Sequence, residues 1–132
     1  MIGIDTNVLI RYFINDDPVQ HELARRLIDG NDIFISNIVL VESFWVLKRL
    51  YMLDKEQIES IFFSFLQMSN IEFENDVVFS RALTSYQELN CDFGDAIIAA
   101  VHHGHHIDTA SFDKSAMKKL GFHDPAEMLD SA

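Results

Sequence analysis

The chain has 132 residues, of which 48% are hydrophobic and 23% charged, and its net charge is -11 at pH 7. These values predict a single folded domain that buries roughly two thirds of its unfolded surface, and they exclude a disordered chain. The negative charge argues against a broad basic surface for nucleic acid, so a polyanionic partner would have to meet local positive charge.

The N-terminal segment, MIGIDTNVLI, carries no early positive charge, and Asp5 and Asn7 interrupt its apolar run. It therefore fits neither a signal peptide nor a membrane span. Cys91 is the single cysteine, so no internal disulfide can form, which agrees with a reducing compartment. We expect one domain covering residues 1–132, located in the cytoplasm and without a membrane part.

The first half of the chain alternates short β-type runs with helical patterns. Pro18 suits the first turn of one helix, and Ser36 suits the N-cap of another. Asp54 and Gln57 have the spacing of a capping box. The predicted strands are 1–4, Ile33–Ile35 and Ile71–Phe73, and the predicted helices are 6–14, 18–30, 37–51 and 54–67.

The second half continues the alternation with helices at Asp76–Leu89, 92–103 and Lys114–Leu120, a strand at 107–110, and a weak tail. Strands that alternate with helices predict an α/β fold with a parallel sheet covered on both faces, because parallel strands need helical crossovers. Ligand sites in such sheets lie beyond the carboxyl ends of the strands, where Asp5 and Asp113 fall.

Four acidic residues stand beside apolar segments: Asp5, Glu42, Asp95 and Asp113. A buried carboxylate is costly unless a cation compensates it. Asp5 and Asp113 each also suit the N-cap of the following helix. Glu42 lies in IVLVESFWVL, which leaves it little polar surface, and its alternative is a structural salt bridge, for example to Lys48.

Asp92 and Asp95 are three residues apart, so on a helix they project to the same side. Asp95 lies inside the apolar run and is the favoured metal ligand, with Asp92 as a cap or an outer ligand. Several carboxylates that meet at one sheet edge would suit Mg²⁺ or Mn²⁺ and predict phosphodiester hydrolysis. Hydroxyl or amide groups that can support such a site are those of Thr6, Asn7 and Ser111.

Four segments, IDTNVLIRYF, VESFWVL, CDFGDAIIAA and SFDKSAMKKLG, occur in this order and resemble the PIN-domain ribonucleases, and the length resembles the VapC-type toxins. The resemblance covers nearly the whole chain. It implies a three-layer α/β/α sandwich with a central parallel sheet, a homodimer, Mg²⁺ or Mn²⁺, cleavage of RNA and a VapB-like antitoxin partner. Ser111 stands where Thr is more usual, a change that keeps the hydroxyl.

Carried over by position, the resemblance makes Asp5, Glu42, Asp95 and Asp113 the catalytic acids. The metal ligands would be Asp5, Asp95, Asp113 and Asp92, with support from Thr6, Asn7 and Ser111. Arg11 and Lys114 lie close to these motifs and are candidate substrate-binding residues because they supply positive charge.

Three other functions would use parts of the same sequence. A phosphatase of the haloacid-dehalogenase class needs a second Asp where Asn7 stands. A non-catalytic module could use the same acidic pocket to bind RNA or a protein, and a purely structural helical protein would need its acids exposed. His102, His103, His105 and His106 around Gly104 suit a solvated helix end better than a metal site.

A protein interface is predicted on the helical hairpin at 37–67, because its aromatic residues exceed what one small core needs. These residues are Phe44, Trp45, Tyr51, Phe62, Phe63 and Phe65.

Overall fold

The computed structural model describes residues 1–131. Within that range the sheet has three parallel strands in the order β1 (Ile2–Gly3), β2 (Ile33–Ile35) and β3 (Ile71–Phe73). Ile33 of the central strand pairs with a residue of β1 on one side and of β3 on the other. Both isoleucines of β2 are fully buried, as expected for a strand that is covered on its two faces.

Four helices accompany the sheet: α1 (Thr6–Phe13), α2 (Pro18–Asp29), α3 (Asn37–Arg49) and α4 (Lys55–Gln67). Each begins where a side-chain oxygen accepts a backbone N–H of the first turn, and the four caps are Asp5, Asp17, Ser36 and Asp54. The Asp54–Gln57 capping box is complete in both directions. Local capping chemistry therefore sets the starts of these helices, as the sequence predicts.

The chain divides into two compact units, Met1–Asp76 and Val77–Ala132. In the first unit α1 packs against α2 and α3, and the Phe13 ring meets the edge of Phe65 with centroids 5.0 Å apart. Phe44, Phe62 and Phe65 are fully buried. These three rings therefore belong to the core, and the predicted interface could use only the other three aromatic residues, Trp45, Tyr51 and Phe63, which keep exposed surface.

The second unit contains α5 (Asp76–Leu89), which starts at the last residue of the first unit, and then α6 (Phe93–Gly104), α7 (Lys114–Leu120) and α8 (Pro125–Ser131). Phe93 of α6 is fully buried, and its ring meets Phe79 and Tyr86 of α5 edge to face, with centroids 6.3 and 6.2 Å apart. These aromatic contacts join α5 to α6.

The predicted strand at 107–110 is wrong. The Ile107 N–H donates to the carbonyl of His102 and so closes the end of α6, which leaves it unavailable for a strand ladder. Ala110 makes only an isolated parallel bridge with His123. The tail, predicted to be weakly structured, carries α8 as far as the described residues extend; Ala132, the last residue of the predicted domain, lies outside them.

The histidine segment forms the end of α6, as predicted, but the left-handed residue is not the glycine. Gly104 is the last helical residue, and His106 takes the positive φ of 58°. His103, His105 and His106 are exposed, and His102 Nδ1 lies 2.7 Å from the Thr109 hydroxyl. Histidine is among the residues that tolerate this backbone region better than most.

The predicted α/β class with a parallel sheet is confirmed, and the helix-rich chain is consistent with the α/β/α fold that the resemblance implies. β2, β3, α5 and α7 have the predicted bounds, and the other confirmed elements agree within two residues. None of the helices in residues 1–131 combines the length and apolar content that crossing a membrane requires.

Met52 provides a test of backbone strain, because it has a φ of 55° and its side chain is 78% exposed. Left-handed backbone costs a non-glycine residue roughly 1–2 kcal/mol, whereas glycine adds about 0.5–1 kcal/mol of unfolded-state entropy. We expect Met52→Gly to raise the free energy of unfolding by about 0.5–1 kcal/mol in urea titrations.

The matched control is Leu50→Gly, since Leu50 is 75% exposed but has an ordinary φ of -86°. That variant gains no strain relief and should be less stable than the parent. If the two substitutions change the free energy of unfolding equally, the backbone at Met52 is not strained.

Candidate functional site

Asp5 lies two residues after the end of β1 and is exposed. Its Oδ1 atom accepts the N–H of Val8 at 3.1 Å, so Asp5 is the N-cap of α1. This bond uses one carboxylate oxygen and fixes the orientation of the side chain. Thr6, half-buried, and Asn7, exposed, occupy the first turn of the same helix. The three residues predicted for this end of the site are thus adjacent on one helix start.

A groove of about 490 Å³ lies beside Asp5 on the first unit. Its polar lining comes from Asp5, Asn7, Arg11 and Gln20, and its apolar lining from Val8, Leu23, Ala24 and Leu27. The groove runs between α1 and α2, the helices to which these residues belong. It is therefore an apolar trough with acidic, amide and guanidinium groups along it.

Arg11 is held in a polar network. Its Nη1 atom donates to Asp16 Oδ1 at 2.7 Å and to the Tyr51 hydroxyl at 2.9 Å, and its Nε donates to Gln20 at 2.9 Å. The Tyr51 hydroxyl donates to the second Asp16 oxygen at 2.7 Å, which lowers the pKa of Asp16 and raises that of Tyr51. The charge of Arg11 is therefore largely compensated within the protein.

Glu42 is exposed, contrary to the sequence argument that it lacks polar surroundings. The polar residue that α3 does bury is Ser43, whose Oγ has no hydrogen-bond partner within the described residues. Glu42 lies outside the buried face of α3, which consists of Val39, Leu40, Ser43, Phe44 and Leu47. Burial therefore does not single out Glu42, and its candidacy depends on its place in the motif.

Asp92 and Asp95 mark the start of α6 in the second unit. Asp92 Oδ1 accepts the Asp95 N–H at 2.9 Å, so Asp92 is the helix cap. Asp95 is half-buried, and burial raises the pKa of its carboxyl group, with further contributions from the negative charges of Asp92 and Asp113. The negative charges of Asp92 and Asp113 thus disfavour ionisation of the partly desolvated Asp95.

Asp113 is the N-cap of α7, where its Oδ1 accepts the Ala116 N–H at 3.0 Å. Its own N–H donates to the Ser111 Oγ, also at 3.0 Å. Lys114, the next residue, is exposed. Ser111 therefore positions the acidic residue through the backbone, and Lys114 presents a positive charge beside it.

Glu74 is an acidic residue that the sequence reasoning missed. It follows β3, and its Oε1 accepts the N–H of Asn37, the first residue of α3 after β2, at 3.0 Å. The Asn37 Oδ1 is buried without a partner within residues 1–131. The rule that sites form at the carboxyl ends of parallel strands could have identified Glu74, since it stands after β3 as Asp5 stands after β1.

The donor chemistry suits a hard divalent cation, because all the candidate ligands are carboxylate oxygens. Asp5, Asp92 and Asp113 each use one oxygen for a helix cap, so each keeps a second oxygen for a ligand. Within the described part of the chain, no group of three or more His, Cys, Asp or Glu side chains is arranged to hold a metal ion. The histidines around Gly104 therefore form no such group either.

The parallel sheet and the acidic side chains at strand ends and helix starts define an α/β protein with a candidate hydrolytic site. The chain belongs to the PIN domain family, whose model matches residues 2–122. Proteins of this family are generally nucleases, are often the toxins of toxin–antitoxin systems, and typically use divalent metal ions.

A similar solved structure is that of FitAcB from Neisseria gonorrhoeae, with 18% sequence identity and a TM-score of 0.35. The similarity covers 94% of this chain and 96% of the other. No curated protein sequence matches the chain.

The raised pKa of Asp95 predicts a pH-dependent effect of its charge. Below the ordinary pKa of 3.8 the carboxyl group is neutral in both the folded and unfolded states, so its ionisation does not change the free energy of unfolding. As the pH rises past that value, the unfolded state loses the proton first and is favoured. We therefore expect Asp95→Asn to raise the metal-free melting temperature at pH 7 and to have little effect at pH 3.

The control for this experiment is Asp130→Asn, which removes an exposed carboxylate of the same unit. Thermal unfolding of both variants in EDTA, from pH 3 to pH 7, measures the difference. A stabilisation by Asp95→Asn that is as large at pH 3 as at pH 7 would show that charge is not its cause.

Proposed function

We propose that this PIN domain is a metal-dependent endoribonuclease that hydrolyses RNA phosphodiester bonds. The observation that carries the proposal is the family match over residues 2–122, because proteins of the PIN domain family are generally nucleases. Within the site, Asp95 is half-buried near the negative charges of Asp92 and Asp113, and a divalent cation would supply a counter-charge. The proposed catalytic acids are Asp5, Glu42, Asp95 and Asp113.

The residues that would hold Mg²⁺ or Mn²⁺ are Asp5, Asp92, Asp95 and Asp113. When bound, such an ion would lower the pKa of water and stabilise negative charge on the phosphoryl oxygens. The protein would contribute fixed ligand orientation, since the caps hold three of the carboxylates in place. The meeting of Asp5 and Glu42 with the acids of the second unit is part of the proposal, as is a single domain spanning residues 1–132.

Polar side chains would complete the site. Ser111 holds the backbone of Asp113, and Thr6 and Asn7 stand beside Asp5 with groups that can donate to a substrate phosphate or a carboxylate. Lys114 is the better candidate for direct phosphate binding, because it is exposed. Arg11 would have to give up its hydrogen bond to Asp16 before it could bind a phosphate.

The biological role proposed is that of the cytoplasmic, homodimeric toxin of a type II toxin–antitoxin pair. The frequent occurrence of PIN domains as such toxins supports it. A VapB-like antitoxin would place an apolar segment in the groove between α1 and α2, whose apolar lining lies beside Asp5. The alternative is a non-catalytic module that binds RNA or a protein through the same acidic residues.

Cleavage of a mixed RNA pool tests the nuclease. We expect cutting with Mg²⁺ or Mn²⁺, none in EDTA, and a loss of at least about 100-fold in Asp113→Asn, because a ligand carboxylate is removed while most of the capping capacity remains. Asp108→Asn is the control and should cut normally. If the folded protein binds RNA but never cuts it, the binding module becomes the better assignment.

Leu23 tests the partner groove, because it is 57% exposed and lines the groove. Leu23→Asp places a charge where an apolar segment would dock, and we expect it to weaken the affinity for a co-expressed VapB-like antitoxin about tenfold or more in calorimetric titrations. Leu129→Asp, at a position 77% exposed in α8, is the control. If Leu23→Asp binds the antitoxin with unchanged affinity, the groove is not the docking site.

A further inference from the structure

Phe112 is the most exposed large hydrophobic residue in the described part of the chain, at 85%. Single exposed apolar side chains are common on protein surfaces and carry no meaning by themselves. The position of Phe112 is what distinguishes it, because it lies between Ser111 and Asp113, two residues of the candidate site. Its ring therefore stands in solvent directly beside the proposed chemistry.

The backbone on either side of Phe112 is held by hydrogen bonds. The Ser111 N–H donates to the carbonyl of His123 at 2.9 Å, and the His123 N–H donates to the carbonyl of Thr109 at 2.8 Å. On the other side, the Asp113 N–H donates to the Ser111 Oγ at 3.0 Å. The ring is thus presented from a fixed backbone, which lowers the conformational entropy that a ligand must remove on binding.

Packing within the folded chain does not explain why an aromatic residue stands at position 112. A side chain that remains 85% exposed buries almost no area on folding, so it contributes almost nothing to the hydrophobic stabilisation. Its neighbours along the chain are small or charged: Ala110, Ser111, Asp113, Lys114 and Ser115, of which all but the half-buried Ser111 are exposed. A single exposed ring in such a stretch of chain suits one flat ligand group better than the broad apolar contact of a protein interface.

A nucleobase is such a group. Bases of unpaired RNA stack on exposed aromatic rings, whereas bases within a duplex are already stacked and paired. Stacking does not depend on positive charge, which is an advantage for a protein with a net charge of -11. Lys114, two residues from Phe112, is exposed and can meet the phosphate of the same nucleotide.

We propose that Phe112 is a base-stacking residue that holds an unpaired nucleotide next to the scissile phosphate. This inference rests on the proposed nuclease function. It assigns Phe112 a role in binding the substrate, while the acidic residues carry the chemistry.

The first experiment is steady-state cleavage of a single-stranded RNA by the full chain with Mg²⁺. Phe112→Ala should raise KM roughly 5- to 150-fold, the range observed when one stacking side chain is removed, with kcat much less affected. Phe112→Trp should restore KM, whereas Phe112→Leu, which is apolar but not aromatic, should not. Leu129→Ala removes another exposed side chain and should leave both constants unchanged.

The second experiment detects the stack directly. A single-stranded RNA that carries 2-aminopurine is titrated with the Asp113→Asn protein, which is expected to bind without cutting. We expect the fluorescence to be quenched by this protein and by its Phe112→Trp derivative, and to be much less quenched by its Phe112→Ala derivative. All the Phe112 variants should have the melting temperature of their parent, because the ring is exposed.

The outcomes separate the two proposals. If the parent protein neither binds nor cuts RNA, the nuclease function and the stacking role fail together. If it cuts RNA and Phe112→Ala keeps the same KM, only the stacking role fails. A fall in kcat shared by Phe112→Ala and Phe112→Trp would also overturn it, because such a result points to a displaced Asp113.

Discussion

The parallel pairing of β2 with β1 and β3 is the constraint on which the first unit depends. Parallel strands cannot be joined by tight turns, so successive strands need a crossover between them, and helices supply the crossovers from β1 to β2 and from β2 to β3. Two of these helices begin within three residues of a strand end, which puts their capping residues, Asp5 and Ser36, beyond the carboxyl ends of β1 and β2. A polar edge of the sheet is therefore a consequence of strand direction.

The acidic residues of the candidate site combine two electrostatic roles. A carboxylate that caps a helix contributes about 1 kcal/mol and lies at the positive end of the helix dipole, so Asp5, Asp92 and Asp113 are stabilised without any cation. Asp95 is different, since it is half-buried inside α6 and its neighbouring charges disfavour ionisation. Asp95 is thus the acidic residue of the candidate site that most needs a counter-charge.

The negative charge of the protein limits how it can hold a polyanion. Arg11 is paired with the negative charge of Asp16 and hydrogen-bonded to Tyr51, so a cation close to the motif in sequence is not a free cation in the structure. Beside Asp113 in the second unit stand the exposed Lys114 and the exposed ring of Phe112. Affinity for RNA would then draw on a bound metal ion, local charge and stacking more than on the overall field of the protein.

The sequence by itself determined the features that depend on a few neighbouring residues. The capping box that starts α4 at Asp54 and the apolar runs that form the strands could be predicted, because their interactions are local, and so could the motif order that marks the family. The strand predicted at 107–110 failed because a strand exists only if its N–H and C=O groups find a partner strand. For the candidate site, the sequence supplied the acidic residues, but tertiary packing decided that Glu42 is exposed and that Arg11 bonds to Tyr51, 40 residues away. Burial and long-range pairing depend on which faces of the helices and strands meet in the folded chain. Those contacts join residues that are far apart in sequence, so a pattern of neighbouring residues does not predict them.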